Sequence, residues 1–209
     1  MTNPEAGELG LFPLGVVLLP GELLPLHIFE ERYKRLVADR EADGHEFVIV
    51  LAEDDGVRRY GCTAHISEVL SRYDDGRVDL VVRGGRRCRL LEVIEPAAPE
   101  EDYLRALVEP HEDSVTRVPE ELRASVLKAF SRMARLMDAT VPEEDEEIPL
   151  SFRLAAAADF GATLKQELLE SISEEDRLTT LLAVIEGLIP RLELRKDRED
   201  AIRGNGKGY

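Results

Sequence analysis

Val78-Asp79-Leu80-Val81-Val82-Arg83-Gly84-Gly85-Arg86-Arg87-Cys88-Arg89-Leu90 is rich in β-branched residues before a glycine pair and alternates arginine with Cys88 and Leu90 after it. A period of two belongs to half-buried strands, and paired glycines read as a turn. The stretch is therefore expected to form two strands joined at Gly84-Gly85. Upstream, Asp74-Asp75-Gly76 is a hairpin signal, and Gly61–Leu70 alternates through Cys62, Ala64 and Ile66 before changing phase at Val69 and Leu70. That change predicts a β-bulge. Downstream, Leu104-Arg105-Ala106-Leu107-Val108 supplies a last strand.

Toward the N-terminus, Phe47–Ala52 is a continuous, β-branched apolar run, the pattern of a strand buried on both faces. A helix is predicted over about residues 29–42, where Phe29, Tyr33, Leu36 and Val37 recur at helical spacing and Gly44 stands at the end. Leu11–Leu19 reads as a strand after a polar leader over residues 1–10, and Pro20-Gly21 as a turn. Five or six strands with one early helix predict a small β-barrel or rolled sheet.

Beyond Pro110 the period becomes helical. Leu122, Val126, Phe130, Met133 and Met137 mark one face, behind a start at Pro119-Glu120-Glu121. Shorter helices are expected over 150–159 and 162–171. Ser173-Glu174-Glu175-Asp176 resembles a capping box before a long final helix in which Pro190 is expected to introduce a kink. The fold class is thus α+β: a β-rich part over residues 1–115, a helical part over 116–202 and a flexible tail over 203–209.

Charge limits the partners. The 209 residues carry 27 Lys and Arg against 43 Asp and Glu, a net charge of −16, and both halves are acidic. A surface that tracks phosphates needs a basic face, so nucleic acid and anionic membrane are disfavoured. No apolar run approaches the roughly eighteen residues of a membrane span, and Met-Thr-Asn-Pro-Glu lacks the flank of a secretory signal. Two cysteines make no disulfide framework. The expected location is the cytoplasm.

Catalytic patterns are missing: there is no phosphate loop preceded by a strand, no GxGxxG, no HExxH and no GxSxG. Cys62 and His65 stand three apart on a strand and point to opposite faces, which argues against a shared metal. His27 and Cys88 read as structural, and Glu143–Glu147 as a solvated acidic loop. The expectation is a non-enzyme with no metal and no cofactor. Two clusters remain. Arg83, Arg86, Arg87 and Arg89 offer an anion site around the glycine pair. Pro20, Leu23, Leu24, Pro25, Leu26, Ile28 and Phe29 form an entry segment more apolar than a connection requires, with prolines that keep it out of a helix.

In this order of elements the chain resembles the N-terminal substrate-binding domain of the Lon protease family. Leu11-Phe12-Pro13-Leu14-Gly15-Val16-Val17-Leu18-Leu19-Pro20-Gly21-Glu22-Leu23-Leu24-Pro25-Leu26 is similar to that family's opening. Gly61-Cys62-Thr63-Ala64-His65-Ile66 resembles its Gly-x-x-Ala-x-Ile strand, and the arginine stretch through Leu90 its Gly-x-x-Arg-x-Arg hairpin. The resemblance implies a PUA-like pseudo-barrel followed by a helical bundle. Lon proteases continue into ATPase and peptidase modules that this sequence does not contain, so it also implies binding without ATP hydrolysis or peptide cleavage. The expected role is a substrate-recognition or adaptor module for unfolded or partner polypeptide, linked to protein quality control and cooperating with a separate ATP-dependent protease. Its lip would be the apolar entry segment. An RNA-binding protein using Arg83–Arg89 is the alternative.

Overall fold

The computed structural model describes residues 6–96, 103–115 and 117–205. In chain order the elements are β1 (Gly7–Leu14), β2 (Leu23–Ile28), α1 (Glu31–Asp43), β3 (Phe47–Glu53), β4 (Gly56–Arg72), β5 (Val78–Ile94), β6 (Arg105–Pro110), α2 (Glu120–Leu136), α3 (Leu150–Ala156), α4 (Gly161–Glu170) and α5 (Glu174–Asn205). Two compact units result: Met1–Asp113 with Phe160–Ile172, and Ser114–Asp159 with Ser173–Tyr209. The sequence suggested one boundary, at 115/116; by contacts the chain returns to the first unit for α4.

In the first unit six strands pair in the order β2-β5-β4-β3-β1-β6, and β5 also pairs with β6. Those pairings close β1, β3, β4, β5 and β6 into a ring and leave β2 attached to β5 alone among the described strands. Leu11, Val48, Val50, Cys88, Leu90, Ala106 and Val108 form one buried cluster. On the opposite face of β1 and β3, Phe12 meets Tyr33 of α1 with ring centroids 4.1 Å apart, and Phe47 lies 6.2 Å from Phe12. β3 is therefore covered on both sides, which is why Phe47–Leu51 is apolar without alternation.

Local signals explain most boundaries. Gly44 ends α1 in the left-handed conformation, its N–H on the Arg40 carbonyl. Tyr73 and Arg77 bracket the Asp74-Asp75-Gly76 turn, and register shifts between Ile66/Glu68 and Val69/Ser71 account for the phase change in β4. The first strand lies earlier than expected: residues 7–10 belong to β1, while 15–19 leave the ladder although Val17, Leu18 and Leu19 stay buried.

The larger correction is at Gly84-Gly85, where the chain does not turn. β5 runs unbroken from Val78 to Ile94. Opposite the pair, Cys62 aligns with Arg87 and Ala64 with Gly84, so Gly85 and Arg86 together face Thr63. This is a bulge. A side chain on Gly84 would run into the Leu19 carbonyl oxygen, and one on Gly85 into Thr63 Oγ1. The glycines serve close approach, not reversal.

In the second unit α2 packs along α5, and α3 also contacts α5. Val126, Phe130, Met133, Leu181, Ile185 and Ile189 are buried. Ser173 Oγ accepts the Asp176 N–H at 3.1 Å, the expected cap. Arg177 is fully buried against Glu174 at 2.8 Å and lies 4.4 Å from the centroid of the Phe152 ring. α5 is one element through Pro190 and takes in 203–205 of the expected tail; residues 206–209 lie outside the described residues.

Candidate functional site

The apolar entry segment becomes the edge strand β2. Pro20-Gly21 turns the chain, and Gly21 and Gly84 tie it to β5: Gly21 N–H donates to the Gly84 carbonyl and Gly84 N–H to the Glu22 carbonyl, each at 2.9 Å. Glu22 holds the corner. Its carboxylate accepts the Leu19 N–H at 3.0 Å and Lys165 Nζ of α4 at 2.5 Å, and both side chains of that ion pair are largely buried.

From there β2 runs antiparallel to β5, with Leu24, Leu26 and Ile28 opposite Val82, Leu80 and Val78. Ile28 is 2% exposed and belongs to the core; Leu24 and Leu26 are half-buried, as is Pro20 at the turn. The other face carries Leu23, Pro25, His27 and Phe29, with Leu23 55% and Phe29 60% exposed. The register adds Arg83, Val81 and Asp79 of β5 to it, with Glu68 and Ser71 of β4 beyond; Leu70, in the bulge between Val69 and Ser71, is 53% exposed.

The ladder also fixes which backbone groups are spare. Because Gly84 N–H bonds the Glu22 carbonyl, alternation turns residues 24, 26 and 28 toward β5, and 23, 25 and 27 away from it. Pro25, with no N–H, stands at an outward position, where proline costs the sheet nothing. The edge thus offers N–H and C=O at Leu23 and His27 and a carbonyl at Pro25.

His27 anchors one end of this face. Its Nδ1 lies 2.5 Å from Asp79 Oδ1, and Tyr73 O–H donates to Asp79 Oδ2 at 2.7 Å. Those two hydrogen bonds, Tyr73 first, hold the Asp79 carboxyl below the usual carboxylate range. The His27 ring stacks near Phe29 and meets Tyr73 edge-on, each at 6.1 Å between centroids. Sequence reasoning missed Asp79, Tyr73 and Lys165. The Asp-Asp-Gly turn hinted that Tyr73 returns beside Asp79, but the register of β2 on β5 has no local signal.

The arginine cluster does not assemble as an anion site. Arg87 is 6% exposed, and its guanidinium donates to the Leu169 carbonyl at 2.8 Å, the Ser171 carbonyl at 2.5 Å and Asp113. It closes the carbonyl end of α4, where main-chain acceptors lack helical partners. Arg89 pairs with Glu109 at 2.5 Å. Arg86 is exposed, with Glu46 4.0 Å away. Arg83 lies opposite Leu23 and also has a partner. The RNA alternative has no support in this arrangement.

The thiols are internal. Burial raises the Cys62 thiol well above its ordinary range and pushes Cys88 up to about 12. Cys62 is buried and His65 exposed, on opposite faces as expected. Among the described residues no helix is long and apolar enough to cross a membrane.

Residues 8–186 match the family described as the ATP-dependent protease La (LON) substrate-binding domain. The chain belongs to this family. It is 28% identical over 213 residues to the Lon protease of Brucella suis and 27% identical over 217 residues to that of Rhizobium meliloti, each alignment covering 93% of this chain but 26% of the relative. The chain therefore spans about a quarter of the length of these relatives, over their N-terminal part. Among solved structures, a Lon N-terminal domain protein from Xanthomonas campestris shares 29% identity at a TM-score of 0.67, over 85% of this chain and 98% of that one. The N-terminal domain of a Mycobacterium avium complex Lon protease gives 0.64 over 86% and 98%; at 18% identity it supports the fold alone. As a Lon substrate-binding domain the chain has a mixed α+β fold and a substrate-binding role, and no protease domain is part of the match.

Proposed function

We propose that the protein recognises extended polypeptide at the free edge of β2, as a substrate-recognition or adaptor module in protein quality control. One observation carries the proposal: among the described residues β2 presents unpaired backbone groups at Leu23, Pro25 and His27 beside exposed apolar side chains at Leu23, Pro25 and Phe29. An incoming strand gains main-chain hydrogen bonds from the edge and side-chain contacts from the face, the two ingredients of strand addition. Unfolded chains supply both partners, and folded ones seldom do. Pro20 and Ile28 shape and support this edge from the turn and the core. The acidic surface, at −16, keeps copies of the protein apart while each handles an apolar client. Family membership supports cooperation with an ATP-dependent protease that supplies unfolding and cleavage. In the same reading the ring of strands is a PUA-like pseudo-barrel and the second unit a helical bundle, and the protein works in the cytoplasm without catalysis of its own.

Anisotropy titration with reduced, alkylated casein tests this. Binding in the roughly micromolar range, unaffected by excess RNA and weakened about tenfold by Leu23→Glu with Phe29→Glu, is the expected result. Retention of RNA with indifference to unfolded chains would overturn the reading.

A further inference from the structure

A second feature, in the helical unit, points to a separate partner. Ser125, Lys128, Ala129, Arg132 and Arg135 of α2 and Glu186 and Ile189 of α5 line an open groove of about 370 Å³. Its floor is small and apolar, since Ala129 and Ile189 are buried. Its α2 wall is basic: Lys128, Arg132 and Arg135 recur at intervals of four and three residues and so stand on one helical face.

Two relations define the geometry. Arg132 Nη2 pairs with Glu193 at 2.6 Å, and Lys196 Nζ donates to the Arg135 carbonyl at 3.3 Å. Both partners are 61 residues apart, so α2 and α5 run in the same direction along the groove. From Ser125 to Arg135 the wall is about 15 Å long, nearly three helical turns. Among the described residues, Lys128 and the Arg135 guanidinium have no acidic partner, and neither carries an interaction beyond those named. In a chain of −16 these are two uncompensated cations either side of the paired Arg132, beside an apolar trough.

We propose that this groove docks an acidic amphipathic helix of a partner protein, laid along α2 and α5 as a third helix. Carboxylates one turn apart on the partner meet Lys128, Arg132 and Arg135, and a narrow apolar stripe beside them settles over Ala129 and Ile189. The trough argues for a helix over nucleic acid. Phosphates alone would engage the basic wall and leave the aliphatic floor of Ala129 and Ile189 uncovered, whereas an amphipathic helix uses both. The groove belongs to the helical unit and the β2 edge to the other unit.

The test uses the intact protein and fluorescence anisotropy. The probe is a synthetic helix of about fifteen residues, with Glu on one face at the same four- and three-residue spacing beside an Ala and Leu stripe. The controls are a peptide of equal composition with that phase scrambled, and a single-stranded RNA. The phased peptide is expected to bind about tenfold more tightly than the scrambled one, and Lys128→Glu with Arg135→Glu to lose about tenfold. Both changes are at exposed positions, so the melting temperature and casein binding stay as in the unmodified protein. Salt near 0.5 M weakens the phased complex. Equal binding of the two peptides, an unaffected double variant or tighter binding of RNA would overturn the proposal. So would a salt-sensitive dimer, seen by sedimentation and abolished by the double variant, because the groove would then serve a second copy through its Glu143–Glu147 run.

Discussion

The leucines of β2 and the arginines of β5 lie side by side in one sheet, Leu23 directly opposite Arg83, and they invert the usual distribution. Leu23 and Phe29 stand in solvent while Arg87 is buried. An apolar side chain left outside marks a surface held open for something else. A cation taken inside is tolerated because a carboxylate and two carbonyls complete its bonds. Composition alone made both segments candidate sites. Burial separates Leu23 and Phe29, available to a partner, from Arg87, which is consumed in holding α4 to the strands.

The sharpest way to break this contrast is to remove Arg87. Arg87→Leu takes the guanidinium away from Asp113 and from the Leu169 and Ser171 carbonyls, and is expected to cost about 2–4 kcal/mol in chemical denaturation. A loss under about 1 kcal/mol would show the arginine to be a surface group after all. Next comes the glycine pair. Gly84→Ala forces a methyl against the Leu19 carbonyl, with an expected loss of about 1–3 kcal/mol. Full tolerance would restore the turn that the sequence suggested and the structure lacks. Arg86→Glu sharpens the comparison from the other side: at 78% side-chain exposure it should move stability by less than about 0.5 kcal/mol and leave casein binding unchanged.

The smallest expected effect concerns pH. His111 packs on Tyr60 and donates Nε2–H to the Glu170 carbonyl at 2.8 Å. Burial lowers its pKa below the ordinary imidazole value. The folded state therefore favours the neutral ring. That stabilisation is complete above about pH 6.5 and is lost as pH falls through the depressed folded value, because the unfolded chain takes up the proton first. Melting curves between pH 7.5 and 5 should fall less steeply in His111→Gln than in the parent. Equal slopes would remove His111 from the account.

Most strands and helices were legible because their signals are local. Alternation, the Asp-Asp-Gly turn, Gly44 and the Ser173 cap each act within a few residues. The Gly84-Gly85 reading failed because its cause is remote: Leu19 and Thr63 crowd the backbone there, and neither is near in sequence. Arg87 was misjudged for the same reason, since Leu169 and Ser171 lie more than eighty positions away. The apolar entry segment was visible as composition. Only its register on β5 shows that Leu24, Leu26 and Ile28 turn toward the sheet while Leu23, Pro25 and Phe29 face out.

Amide hydrogen exchange along β2, with and without saturating unfolded casein, tests the central claim most directly. Leu23 and His27 have N–H groups on the free edge, whereas those of Leu24, Leu26 and Ile28 already face β5. Strand addition predicts new protection at Leu23 and His27, with the other three and Arg86 unchanged. Casein binding that leaves Leu23 and His27 exchanging as in the free protein would contradict it.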